Sequence, residues 1–234
     1  AERLIKMLDL VDDQLVVEAK GVLSVENFLN ARRLMYWQVY LHKTSICCES
    51  MLIQILRRAR FLIRQGEPVF APDTFMLFLR ESVSLDAFLS NQLYINAFTQ
   101  LDDYDVWFCV KQWALHNDTV LSTLCRMLLD RRLFKIILST EPFAGELLNE
   151  LEQQLKELGI GEEELSYFLV EGQATNAAYL PLQDRIAIKL KTGKVIDIAD
   201  ASDLSNVHVL TNIVRRYYVC WAKDLKMVVK SVSQ

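Results

Sequence analysis

The sequence has no Cys-x-x-Cys pair and no His-Asp dipeptide, and it holds only three histidines, His42, His116 and His208. Its five cysteines, Cys47, Cys48, Cys109, Cys125 and Cys220, are odd in number, and two of them are adjacent. That pattern argues against a disulfide framework or a cysteine zinc site and reads as buried or half-buried thiols in a reducing cytoplasm. No run approaches the roughly 20 uninterrupted apolar residues of a membrane span, and no signal-peptide pattern is present. P-loop, GxSxG and GxGxxG motifs are missing. The histidines have no Cys, His or carboxylate at ligand spacing on an evident shared face, so no metal site is expected within this sequence. A net charge of −4 speaks against a nucleic-acid coat or a basic membrane binder, while leaving room for a local basic pocket.

What is present is apolar and periodic. The 234 residues are 52% hydrophobic, enough for a sizeable core. Two short apolar runs around Asp12-Asp13 read as a β-hairpin. Ser24 then offers a helix N-cap, with Glu26 in the first turn. From Val25 the period stays helical to about Gln65, where Gly66 and Pro68 stop it; one helix of that span would be about 60 Å long at 1.5 Å per residue. Further helices are expected at "APDTFMLFLRE" with Asp73 as its cap, at "LDAFLSNQLYINAFTQL", at "DYDVWFCVKQWALH" and after Asn117-Asp118. Another opens at Thr140 with Pro142 and ends at Gly159. The period changes at "LSYFLVEG" and "RIAIKLKTGKVIDIAD", where "KTGK" is a hairpin turn, and "RRYYVCWAK" supplies a further strand. The expected fold is mainly α: a helical array around one long helix, with a small C-terminal α+β element. Residues 1–164 form the helical domain with the hairpin at its start, and 165–234 the α+β element. The opening "AERLIKML" lacks an initiator Met and a lead-in, which reads as a fragment or a trimmed chain.

The stretch "ARRLMYWQVYLHKT" carries unusual chemistry. On a regular helix Arg32, Tyr36, Tyr40 and Lys43 fall in one stripe about 80° wide, with a cation at each end and two phenols between. Two readings fit. The tyrosines pack on neighbouring helices while the cations reach water, or the stripe receives a phosphorylated ligand, with guanidinium on phosphate and phenol on sugar or base. His42 projects about 80° off that stripe, on the other side from Arg33. Asp102, Asp103 and Asp105 precede a helix and read as caps rather than as an acidic metal site. Arg131, Arg132 and Lys135 complement a helix end, with a phosphate or partner contact as the other reading.

"GVLSVENFLNARRLMYWQVYLHKTSICCESML" resembles the segment that follows the metal site in HD-superfamily phosphohydrolases, in the branch related to deoxyguanosine triphosphate triphosphohydrolase. "LDDYDVWFCVKQWALHNDTVLSTLCRMLLDRRLFK", "IAIKLKTGKVIDIADASDL" and "YYVCWAK" resemble later parts of the same group. The resemblance implies a cytoplasmic, metal-dependent hydrolase of nucleotides or other phosphorylated small molecules. Its divalent metal (Mn, Mg, Fe or similar) would be held by an upstream HD segment of which this chain is the C-terminal portion. It implies substrate binding by Arg32 through phosphate and by Tyr40 against the deoxyribose, with Tyr36 in the same group. His42 and Lys43 would contact a regulatory nucleotide or phosphate. Tyr36 stands where nucleotide-cleaving relatives often carry histidine, and Leu41 where some carry a polar residue, so the substrate is left open. The chain alone would be inactive. The competing class is a non-catalytic helical interaction or oligomerisation module, and a homo-oligomer fits either class.

Overall fold

The structure is a computed structural model that describes residues 2–176, 179, 185–202 and 214–223. Its helices are α1 (Glu2–Ile5), α2 (Val22–Met35), α3 (Lys43–Arg64), α4 (Asp73–Arg80), α5 (Leu85–Ser90), α6 (Gln92–Gln100), α7 (Asp103–Trp113), α8 (Thr119–Leu129), α9 (Gly145–Glu157), α10 (Leu165–Phe168) and α11 (Ile198–Ala201). The strands are β1 (Leu8–Val11), β2 (Gln14–Glu18), β3 (Lys135–Ser139), β4 (Leu169–Asn176), β5 (Ala187–Lys189), β6 (Val195–Asp197) and β7 (Val214–Trp221). The fold is mainly α with a smaller β part, as expected. No helix among the described residues is long and apolar enough to cross a membrane. Two compact units divide the chain: Ala1–Ser45 with Gln173–Tyr217, and Ile46–Gly172 with Tyr218–Gln234. They follow spatial contact rather than chain order, so each gathers residues from both sides of position 164. His208 lies outside the described residues.

In the first unit, β1 and β2 form an antiparallel hairpin, Leu8 opposite Val17 and Val11 opposite Gln14. Its turn residues, Asp12 and Asp13, have φ of 49° and 59°, a left-handed backbone that short polar side chains tolerate better than most. β2 pairs in parallel with β5, and β5 antiparallel with β6, giving the sheet order β1-β2-β5-β6. The "KTGK" turn joins β5 to β6, with Gly193 at φ 84° donating to the Leu190 carbonyl. Val25 and Leu29 of α2 pack on Val17, Ile188 and Ile198 to make this core. Ser24 is not the N-cap expected of it, because α2 starts two residues earlier, straight out of a 3₁₀ turn at Ala19–Gly21. A Cβ on Gly21 would lie 2.6 Å from Val17 Cγ1, so only glycine lets the turn sit this close to β2. Glu26 is buried rather than facing solvent, and its carboxylate accepts from the Ser202 hydroxyl.

The single helix expected from Val25 to about Gln65 is interrupted. A π-helical segment, Tyr36–Tyr40, follows α2, and the chain breaks at Leu41-His42 before α3. The Leu41 amide donates to the Tyr36 carbonyl at 2.7 Å, five residues back, so the regular i→i−4 ladder stops there. Four of the five residues in "YWQVY" are aromatic or β-branched, the types that lose most side-chain freedom in a helix.

The second unit packs Met51 and Ile55 of α3, Trp113 of α7, and Leu121 and Leu124 of α8 into one core. Side-chain caps set the starts of α5, α6, α7 and α8. Asp102 and Asp105 form a reciprocal capping box on α7, and Asp118 accepts from the Leu121 amide at 2.7 Å at the start of α8. The span expected as one helix from Leu85 is two, α5 and α6, because the Asn91 side chain caps a new start. Asp73 is the first residue of α4 rather than its cap. Thr140 does not open α9; Lys135–Ser139 is strand, and the helix begins at Gly145. A second sheet has the order β3-β7-β4. Cys47, Cys109, Cys125 and Cys220 are buried and all five thiols are free; burial pushes Cys109 up to about 11.

Asp118 does more than cap. Arg58 of α3 donates to both its oxygens, Nε at 3.1 Å and Nη2 at 2.7 Å, with both side chains mostly buried. Burial alone would raise this carboxyl. The bonds from Arg58 and the Leu121 amide, with the charges of Arg58 and His116, hold it below the usual carboxylate range. At its other end, α8 closes with Arg131 at φ 57°, the Arg131 amide on the Leu128 carbonyl and the Arg132 amide on Met127. This is the turn that Gly66 and Gly159 make after α3 and α9, formed here by a residue that pays a steric penalty.

Asp118→Ala strands a mostly buried guanidinium and removes a cap, and should cost about 3 kcal/mol in chemical denaturation. A depressed carboxyl contributes in full above the unfolded-state value of about 4 and loses that contribution as pH falls through its lower folded value. The gap between parent and variant should therefore narrow in acid. Arg131→Gly should stabilise the protein by about 1 kcal/mol, read as a higher melting temperature.

Candidate functional site

α2 turns two faces in different directions. One carries Val25, Glu26 and Leu29 into the core of the first unit. Another presents Phe28, Ala31, Arg32, Met35 and Tyr36, at the i, i+3, i+4, i+7, i+8 spacing of a single helical stripe. With Tyr40 from the π-helical segment, these residues line an open cavity of about 390 Å³. The rings of Tyr36 and Tyr40 lie 5.0 Å apart at 46°, and the Arg32 guanidinium sits 5.6 Å from the Tyr36 ring centre. Among the described residues Arg32 pairs with no carboxylate. Tyr40 is 53% exposed. Trp37, one step round the helix, faces elsewhere and carries Arg216 at 5.6 Å over its ring. The cationic and aromatic residues of this stretch thus make two separate cation–π contacts rather than one continuous face.

The structure brings Arg32, Tyr36 and Tyr40 together and leaves Lys43 out of the cavity lining. His42, in the break, and Lys43, the first residue of α3, are both exposed. The His42 ring accepts from the Thr44 amide at 3.3 Å, and the Ser45 hydroxyl donates to the Val39 carbonyl at 2.7 Å. These bonds hold the interruption in place. His116 accepts from the Asp118 amide at 3.0 Å, the capping role expected of "HND". Periodicity pointed to the tyrosines but not to Phe28, Ala31 and Met35, whose contribution is wall rather than chemistry.

Two further cavities suit an anion less well. One of about 430 Å³ in the second unit is lined by Glu152, Glu162 and Glu171, which repel phosphate. Another of about 300 Å³ beside β2 and β5 holds Lys20, Lys189 and Lys191, but Lys189 is bonded to Asp9 at 2.7 Å and Lys20 to Glu18. The cavity at Arg32 combines aromatic walls with a guanidinium that has no carboxylate partner among the described residues. Among the described residues no three His, Cys, Asp or Glu side chains converge as a metal set.

Residues 1–66, which include the whole of this cavity, match the family described as the HD associated region. The chain is 44% identical to a phosphohydrolase from Bacteroides thetaiotaomicron whose structure is solved, with a TM-score of 0.82 over 94% of this chain and 55% of that one. It is 28% identical over 178 residues to the uncharacterized protein YwfO of Bacillus subtilis, across 76% of this chain and 38% of that protein. A hypothetical protein from Aquifex aeolicus, 18% identical with a TM-score of 0.58, shares the fold over 100% of this chain and 51% of that one. The chain therefore spans about half the length of the solved phosphohydrolase. The matched region and the structural likeness support a relationship to the HD-superfamily phosphohydrolases.

Ser45→Ala should loosen the interruption that places Tyr40. The expected loss is about 1 kcal/mol of stability, with faster hydrogen exchange at the Leu41 and His42 amides than in the parent.

Proposed function

We propose that this chain is the C-terminal portion of a metal-dependent HD-superfamily phosphohydrolase acting on nucleotides, in the branch related to deoxyguanosine triphosphate triphosphohydrolase, and that it supplies the phosphate-binding wall of the active site. The observation that carries this reading is the Arg32 guanidinium, unpaired with any described carboxylate, at an aromatic-walled cavity inside the HD associated region. Arg32 takes two phosphate oxygens through its parallel N–H groups. Tyr40 lies against the sugar, and Tyr36 steadies the guanidinium from its ring face. His42 in the break and Lys43 at the start of α3, both exposed, meet the phosphate of a regulatory nucleotide.

A divalent metal does not fit the described residues of this chain. No ligand set converges among those described, and Arg32 and Lys43 would repel the ion. The metal is assigned to the upstream HD segment, where it would supply an activated water, and no step is derived through it here.

In the complete enzyme, Arg32→Ala should lower kcat/KM for nucleotide hydrolysis by about 100-fold, equivalent to roughly 3 kcal/mol of lost charge-assisted bonding. Arg32→Lys should recover only part of it. Unchanged kinetics in a folded Arg32→Ala enzyme would overturn the proposed site. For the 234-residue chain by itself, metal analysis should find no stoichiometric ion, and nucleotide panels with Mn²⁺ or Mg²⁺ should show no phosphate release. Bound metal with turnover would place the chemistry within this chain.

A further inference from the structure

α7 buries Cys109, Val110 and Trp113 in the core of the second unit. Its opposite face is open and carries a cluster of exposed apolar side chains between charged ones. Tyr104, Trp107 and Phe108 are 83%, 43% and 49% exposed, and Leu115, just past the helix end, is 79% exposed. Phe70 extends the patch, edge-on to Phe108 at 5.4 Å. Soluble monomers rarely leave such an apolar cluster in water.

The charges on this face choose its occupant. Asp103 and Lys111 stand four residues before and four residues after Trp107, and both are exposed. Neither belongs to an ion pair among the described residues. When two copies of a helix cross antiparallel about a two-fold axis, each position before the centre meets the position equally far after it in the other copy. With Trp107 at the centre, each Asp103 comes level with the opposite Lys111. Trp107, Phe108 and Tyr104 then fill the middle as adjacent i±4 ridges that interdigitate. An apolar centre flanked symmetrically by opposite charges is what a self-complementary contact requires, and a contact with an unrelated surface has no need of that symmetry. We infer that the exposed face of α7 is a docking surface for a second copy of this chain, joined antiparallel about Trp107 with Asp103 and Lys111 paired across the axis.

Sedimentation analysis over a concentration series should show the whole chain self-associating to a dimer. Trp107→Glu should abolish it. Asp103→Lys alone and Lys111→Asp alone each place like charges opposite one another, and each should weaken dimerisation about tenfold or more. Mixed in equal amounts, these two variants should form a dimer with each other, because opposite charges face again at both ends. The double variant D103K/K111D should self-associate like the parent. Far-UV circular dichroism checks that each folds, and Lys111→Glu, a good helix former, repeats the test if Lys111→Asp does not. A parent that stays monomeric overturns the inference, as does a dimer insensitive to the single charge changes or a mixture that associates no better than its components. Any of those results would assign the face to another part of a longer polypeptide or to an unrelated partner.

Discussion

The carboxylate of Asp118 holds the second unit together from a single point. It accepts the free Leu121 amide in the first turn of α8, takes both arms of Arg58 from α3, and has its own backbone amide fixed by His116. The His116 ring in turn lies 3.3 Å from the Pro68 carbonyl in the stretch between α3 and α4. With Arg58 clamped, its guanidinium and that of Arg57 lie 5.3 Å and 5.6 Å from the Tyr167 ring centre, which ties in α10. A neutral residue could cap the helix, but it could not anchor a mostly buried guanidinium, and the helices around it would be left with an unpaired charge.

The candidate site depends on a different constraint, the failure of a helix to continue. In a regular helix the "YWQVY" residues would spread their rings round the axis at even steps. Tyr36 and Tyr40, four residues apart, stay ring against ring as they would on a regular helix, but the i→i+5 bond to Tyr36 ends the helix before Lys43 can join them. Wide turns of this kind cost helical hydrogen bonding and recur at binding sites. Here the turn follows directly on a helix whose other face is locked into the core by Val25 and Leu29, so Arg32 stands on a rigid element while Tyr40 sits at its loosening end.

Features set by a few neighbouring residues were legible in the sequence. The Asp12-Asp13 and "KTGK" turns, the aspartate caps on α7 and α8, and the glycines that close α3 and α9 each carry a local chemical signature. Where the cause lies elsewhere in the fold, reading failed. Ser24 has the chemistry of a cap, but the close packing of Gly21 on Val17 starts the helix sooner. Arg131 gives no hint that it adopts the backbone of a glycine. Lys135, read with Arg131 and Arg132 as part of a basic helix end, instead begins the strand "KIILS", which lies beside β7. No Gly or Pro marks the break at Leu41-His42. For the site, periodicity found the Arg32, Tyr36 and Tyr40 stripe but could not choose between core and ligand, and a straight helix wrongly extended it to Lys43. The binding roles proposed for these residues come from the resemblance, because spacing alone assigns none.

The parallel pairing of β2 with β5 has a consequence for how the chain is made. Val17 meets Ile188 across that ladder, so a strand made early must wait for a partner some 170 residues later. At roughly 5–20 residues per second, the ribosome leaves the inner edge of β2 unpaired for about 10–30 s. An open strand edge of that kind is a template for wrong partners. The Asp12-Asp13 turn closes one side of the strand at once, and the acidic Asp9, Asp12, Asp13 and Glu18 around it repel like neighbours on crowded polysomes. Lys189 reaches Asp9 only when the second half of the sheet arrives, so the charges that keep the nascent hairpin solitary also receive the strand it is waiting for.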